Sequence, residues 1–141
     1  MILWDVDLWV YAFRADSPLH GLARAEIDAG FRTGDGYLFC PAVAASFLRL
    51  VTNPRVFVKP SSSEEAWAFV DTLESGERAV NADIDLMTWG VFKHVCMALA
   101  VTGNGFPDAL LAALAIRHSA TFVTADRGFE RFGGLSCRFL A

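Results

Sequence analysis

Three aspartates stand where they could do metal chemistry: Asp5, Asp108 and Asp126. Asp5 follows the apolar run Ile2-Leu3-Trp4 and precedes Val6, so it reads as a carboxylate carried on the end of a buried strand. Unpaired buried carboxylates are rare, and one in that setting needs a counter-charge. Asp126 comes just after the strand-like run Thr121–Thr124, and Asp108 opens a very apolar segment that reads as a helix. Gathered carboxylates repel and raise one another's pKa. A hard divalent cation such as Mg²⁺ or Mn²⁺ relieves this, because it prefers carboxylate and water oxygens. A metal so held suits phosphodiester hydrolysis: it acidifies bound water and neutralises charge building in an in-line transition state. Taken singly, Asp126 as a helix cap and Asp108 as a first-turn acid are equally good readings.

The elements around them decide whether the three can meet. Ile2–Val6 reads as a first strand, followed by a helix from about Asp7 with Leu8, Trp9, Ala12 and Phe13 on one side. Pro18 fits the first position of a second helix, to about Phe31, ended by Thr33-Gly34-Asp35-Gly36. Tyr37–Cys40 reads as a strand and Pro41–Val51 as a helix stopped by Asn53-Pro54. Ser62 and Glu65 form a capping-box pattern for a helix to about Leu73. Asp83 or Asp85 caps the next helix, to about Val101. After the Gly103-Asn104-Gly105 loop come a helix over Asp108–Ser119, the strand Thr121–Thr124, a short turn over Arg127–Phe132 and a strand over Cys137–Leu140.

This alternation predicts an α/β fold with a mostly parallel sheet flanked by helices on both faces, as one domain over residues 1–141. In such sheets, sites form at the carboxyl ends of the strands. Asp5 and Asp126 both sit there. A helix that precedes a parallel strand runs against it, so Asp108 at that helix's start is brought to the same edge.

Composition narrows the field. The chain is 54% hydrophobic and 20% charged with 12 Phe, enough for a packed core and too apolar for intrinsic disorder. The longest apolar run, Ala109–Ile116, falls far short of the roughly 20 residues that span a bilayer. The opening residues resemble no signal peptide, which predicts a cytoplasmic protein. Cys40, Cys96 and Cys137 are far apart and His20, His94 and His118 lack ligand spacing, which argues against zinc. The net charge of −4 is local: acids crowd between Glu64 and Asp85, with Arg78 their only offset. An RNA substrate therefore stays open, whereas tight binding through a broad basic face does not. No phosphate-loop or dinucleotide glycine motif is present.

At these residues the chain resembles the PIN-domain ribonucleases, and among them the VapC-like toxins. ILWDVDLWVYAF at the start, Phe47–Phe57 in the middle and Gly103–Phe132 near the end resemble three family segments in family order, over nearly the whole length. The resemblance implies Mg²⁺- or Mn²⁺-dependent cleavage of RNA to 5′-phosphate and 3′-hydroxyl ends. It also implies a homodimer and neutralisation by a cognate VapB-like antitoxin. Asp5, Asp108 and Asp126 match the family's acidic site. Two positions depart: Ser46 stands where the central helix usually has an acid, and Asp7 where Asn is usual. Both are candidate accessory residues, Asp7 by added charge and Ser46 through a bound water. Arg49, Arg127 and Arg131 are candidate phosphate contacts, with Arg55 and Lys59 behind them.

Two rivals remain. Asp5-Val6-Asp7 also resembles the nucleophile motif of haloacid-dehalogenase phosphatases, although Lys59 and Lys93 are poorly placed for that family's lysine. Ser46 motivates the other, a degenerate PIN domain that binds without cutting.

Overall fold

The computed structural model describes residues 1–141. Five strands form one sheet: β1 (Ile2–Trp4), β2 (Tyr37–Phe39), β3 (Ala79–Asn81), β4 (Thr121–Thr124) and β5 (Cys137–Phe139). Their order is β3-β2-β1-β4-β5, and every pairing is parallel. Six α-helices connect them: α1 (Val6–Phe13), α2 (His20–Arg32), α3 (Pro41–Val51), α4 (Ser63–Glu74), α5 (Leu86–Leu99) and α6 (Gly105–Arg117). A 3-10 turn, Arg127–Arg131, links β4 to β5.

The sheet is buried on both sides, because consecutive residues Leu3 and Trp4, Leu38 and Phe39, and Phe122 and Val123 are all buried. The connections β1→β2→β3 step one way along the sheet and β3→β4 steps back. Right-handed crossovers then place α1 to α4 on one face and α5 and α6 on the other. On the first face, Trp4 donates its indole N–H to Glu26 of α2 at 3.3 Å. Arg138 of β5 grips the same carboxylate through two bonds of 2.8 Å. Trp9, Phe13, Phe47 and Phe69 join α1, α3 and α4 through ring contacts of 5.1 to 6.2 Å. Each such pair adds about 0.5–1.5 kcal/mol beyond its burial. In the opposite phase Phe122 rests on Phe129, ring centres 4.6 Å apart.

Local chemistry sets most element ends. Asp5 caps α1, and Ser62 caps α4 by accepting the Glu65 N–H at 3.1 Å. Asp85, not Asp83, caps α5 through the Thr88 N–H at 2.8 Å. Gly36 at φ +100° enters β2, and a Cβ there would lie 2.5 Å from the Arg78 carbonyl oxygen.

The first strand ends at Trp4 and not Val6, which already belongs to α1, and two helix starts and one strand also differ from the sequence expectation. Helix α2 starts at His20, because Ser17 holds a turn through the N–H groups of Leu19 and His20 that leaves Pro18 outside. Helix α6 starts at Gly105. Pro107 falls in its first turn, where a missing N–H costs nothing, and Asp108 is a first-turn acid and not the cap. Strand β3 was not expected from Ala-Val-Asn, which has neither alternation nor a buried run. It forms because the edge of β2 offers Tyr37, Leu38 and Phe39 as partners.

Candidate active site

The strand order reverses direction at β1 and β4, and the crevice of a parallel sheet opens at such a point. The register pairs Trp4 with Val123. One residue further on, Asp5 and Thr124 meet. Thr124 Oγ1 donates to Asp5 Oδ2 at 2.6 Å, while Asp5 Oδ1 accepts the Val6 N–H at 2.7 Å. The Asp5 N–H in turn donates to the Val123 carbonyl at 2.9 Å. Asp5 is 6% exposed. Burial, then the Asp7 charge, and more weakly Asp108, push its carboxyl up to about 7 against the bonds from Thr124 and Val6. Burial also raises the Asp7 carboxyl, with Asp126 adding to the effect.

A cleft of about 190 Å³ opens beside Asp5. Its polar lining is Asp5, Ser46 and Asp108; Val6, Ala42, Val43, Pro107, Leu110 and Leu111 complete the wall. Strand β1, helix α3 and the first turn of α6 therefore each deliver one polar side chain. Asp108 lies at the positive end of α6. Its Oδ2 accepts from Nη2 of Arg131 at 3.2 Å, while the Nη1 of Arg131 donates to the Gly128 carbonyl.

Asp126 lies outside that lining. Its Oδ1 caps the 3-10 turn by accepting the Gly128 N–H at 2.8 Å, and its own N–H donates to Thr124 Oγ1 at 3.0 Å. The sequence reading expected Asp5, Asp108 and Asp126 to meet at one sheet edge and hold one or two divalent ions. Asp5 and Asp108 line one cleft and Asp126 is not part of its lining, and no three His, Cys, Asp or Glu side chains stand close enough together to surround one ion.

The donor set still fits Mg²⁺ or Mn²⁺. Mg²⁺ keeps several waters and is commonly held by one or two carboxylates plus substrate phosphates. All polar donors of the cleft are hard oxygens. Asp5 is a buried carboxylate with acidic neighbours and no basic partner, so a cation there relieves a real electrostatic cost.

The basic candidates separate. Arg131 touches the site through Asp108. Arg127 is turned away, paired with Glu130 at 3.1 Å and lying 4.2 Å over the Phe139 ring. Arg49 is exposed on α3, three residues beyond Ser46, and Arg55 and Lys59 are exposed in the segment after it. Trp4 and Trp9 are buried in the core. Two neighbours of the carboxylates were not singled out in the sequence. Thr124 orients Asp5, and its signal was its place at the strand end two residues before Asp126. Tyr11 has its hydroxyl pKa raised by burial and by Asp7, Asp5 and Asp126. Its spacing of four from Asp7 on one helix was the available sign.

The model of the PIN domain family matches residues 2–135. The chain is 36% identical to ribonuclease VapC43 of Mycobacterium tuberculosis over 138 residues, 98% of this chain and 94% of that protein. It is 33% identical to ribonuclease VapC31 of the same organism, over 96% of this chain and 95% of that one. In fold it is similar to VapBC2 from Rickettsia felis, solved bound to a promoter DNA fragment. There the TM-score is 0.73 at 20% identity, covering 99% of this chain and 98% of that one. Mycobacterium tuberculosis VapC20, a Sarcin-Ricin loop cleaving toxin, superposes with a TM-score of 0.69 at 15% identity, covering 98% of this chain and 99% of that one. A family model over nearly the whole chain and relatives at 36% and 33% identity together show that the chain belongs to the PIN-domain family, among its VapC ribonucleases.

Proposed function

We propose that this chain is a divalent-metal-dependent endoribonuclease, one domain over residues 1–141, acting in the cytoplasm as the toxin of a VapBC-like toxin–antitoxin module. The observation that carries the reading is the cleft in which buried Asp5 faces Asp108. Kinship with the ribonucleases VapC43 and VapC31 supports the substrate class.

In this reading Asp5 and Asp108 hold Mg²⁺ or Mn²⁺, with Ser46 beside them and Asp126 as the third carboxylate of the sheet edge. When bound, the ion acidifies water and offsets charge on the scissile phosphate. Thr124 holds Asp5 in one orientation. Arg131, already at the rim, contacts a phosphate of the RNA. The apolar wall from Val6 to Leu111 limits water around the reacting atoms. A VapB-like antitoxin silences the enzyme by covering the cleft. Helix α5 leaves Met87, Trp89 and Met97 exposed, apolar surface that a homodimer contact would cover.

The test is cleavage of total cellular RNA by the purified chain with Mg²⁺ or Mn²⁺, with EDTA, and with Asp5→Asn in parallel. Discrete cuts that need metal and vanish in the variant are expected. Ser46 in the cleft favours a second reading, a binding module that does not cut. Well-folded protein, free of antitoxin, that leaves every RNA intact would decide for it.

A further inference from the structure

Asp7 does not line the cleft, yet it is held across the molecule. Its Oδ2 accepts the backbone N–H of Ala125 at 3.1 Å, a link spanning 118 residues. Thr124 Oγ1 is 3.4 Å from the same oxygen. That hydroxyl gives its proton to Asp5 at 2.6 Å and accepts the Asp126 N–H at 3.0 Å. The ladder of β4 ends at Thr124, whose carbonyl takes the Leu140 N–H. The Ala125 N–H therefore lies past the last strand pairing, and Asp7 supplies its acceptor. One set of bonds joins α1, whose cap is Asp5, to the turn that begins at Asp126.

The other oxygen of Asp7, Oδ1, is buried and has no partner. A desolvated, unpaired carboxylate oxygen is costly. Stability alone disfavours a carboxylate here, which points to a local task. We infer that Asp7 is a positioning residue: through the Ala125 N–H and Thr124 it sets the separation of the Asp5 and Asp126 carboxylates, and it does not itself take the metal. The inference rests on the proposed metal site only for its consequence, not for its geometry. The task needs an acceptor of this shape and not a charge. Asparagine performs it and alanine does not.

The experiment compares wild type, Asp7→Ala and Asp7→Asn in two measurements: amide hydrogen exchange by NMR without metal, and Mn²⁺ binding by calorimetry. In Asp7→Ala the Ala125 and Asp126 amides exchange about tenfold or more faster, the scale of one lost charge-assisted hydrogen bond. Core amides such as Leu38 and Val95 keep wild-type rates, which separates this from general loosening. Mn²⁺ affinity falls about 10- to 100-fold, as when a group that orients a ligand is removed. Asp7→Asn matches wild type in amide exchange and keeps a Mn²⁺ affinity well above that of Asp7→Ala, differing from wild type only by the charge removed beside Asp5. Unchanged exchange at Ala125 in Asp7→Ala overturns the inference, and so does unchanged Mn²⁺ affinity. Failure of Asp7→Asn alongside Asp7→Ala also overturns it, because the charge is then what matters. If wild type takes no Mn²⁺, the metal reading fails, while the exchange arm still decides whether Asp7 holds the turn.

Discussion

The two carboxylates that face the cleft are held in opposite ways. Asp5 is buried at the junction of β1 and α1, fixed by its own helix N–H, by the Thr124 hydroxyl and by a backbone bond to β4. Asp108 sits on the first turn of α6, its side chain about a third exposed and its cation Arg131 no less so. One half is built into the sheet, where any shift breaks several bonds together. The other half is a solvated ion pair that can be exchanged for a different cation at little cost. A site made this way has a rigid wall that sets geometry and a replaceable wall that admits metal and substrate.

Asp5→Asn tests the rigid half most severely. It keeps the shape and removes the charge, so RNA cleavage falls about 100-fold or more, given that metal stabilisation of transition-state charge is worth several kcal/mol. Circular dichroism stays unchanged. Cleavage equal to wild type would remove Asp5 from the mechanism. Thr124→Val keeps the volume and deletes the donor to Asp5. Metal affinity drops about 10- to 100-fold by titration, and an undiminished affinity would mean that Asp5 needs no orientation.

Stability against pH probes the same corner. The folded Asp5 pKa of about 7 lies above its ordinary 3.8. The folded state therefore holds the proton more tightly than the unfolded chain does. Its contribution is complete below about pH 4 and lost as pH rises through about 7. Without metal, the melting temperature should decline from pH 5 to 8. Mg²⁺ or Mn²⁺ should restore it at the upper end, and Asp5→Asn should flatten the decline. A melting temperature that climbs over this range in EDTA would contradict the buried, uncompensated carboxylate.

On the replaceable side the effects are smaller. Ser46→Glu adds a carboxylate opposite Asp5 and should tighten Mn²⁺ binding about tenfold, since ligand charge tunes such affinities. Weaker binding would show that the cleft has no room for a third acid. Arg131→Ala should cost at most about 1 kcal/mol in denaturant unfolding, as expected for an exposed pair. Its KM for RNA should rise while Asp5-dependent metal binding persists. A large stability loss would make Arg131 a structural clamp and erase the contrast between the two walls.

Most of the fold was legible because its signals are local. Pro41, Ser62 and Asp85 mark helix starts through the chemistry of unpaired N–H groups, and Tyr37–Phe39 and Thr121–Thr124 are short runs bounded by turns. Strand β3 was not legible, because three residues of mixed polarity become a strand only when β2 is beside them. The start of α2 was misplaced because Ser17 and Pro18 fit a turn as well as a helix entry.

The site divides along the same line. Residue type and position along the chain sufficed to place Asp5, Asp108 and Asp126 at one edge, because parallel strands and the helices between them have fixed directions. Tertiary structure decided which carboxylates share the cleft, that Ser46 joins them, and that Arg131 and not Arg127 reaches the rim. It also decided the bonds of Thr124 and Asp7, which run between residues 117 to 119 positions apart. A sequence states direction and order, but a hydrogen bond depends on tenths of an ångström, and only the packing of β4 against β1 and α1 sets that distance.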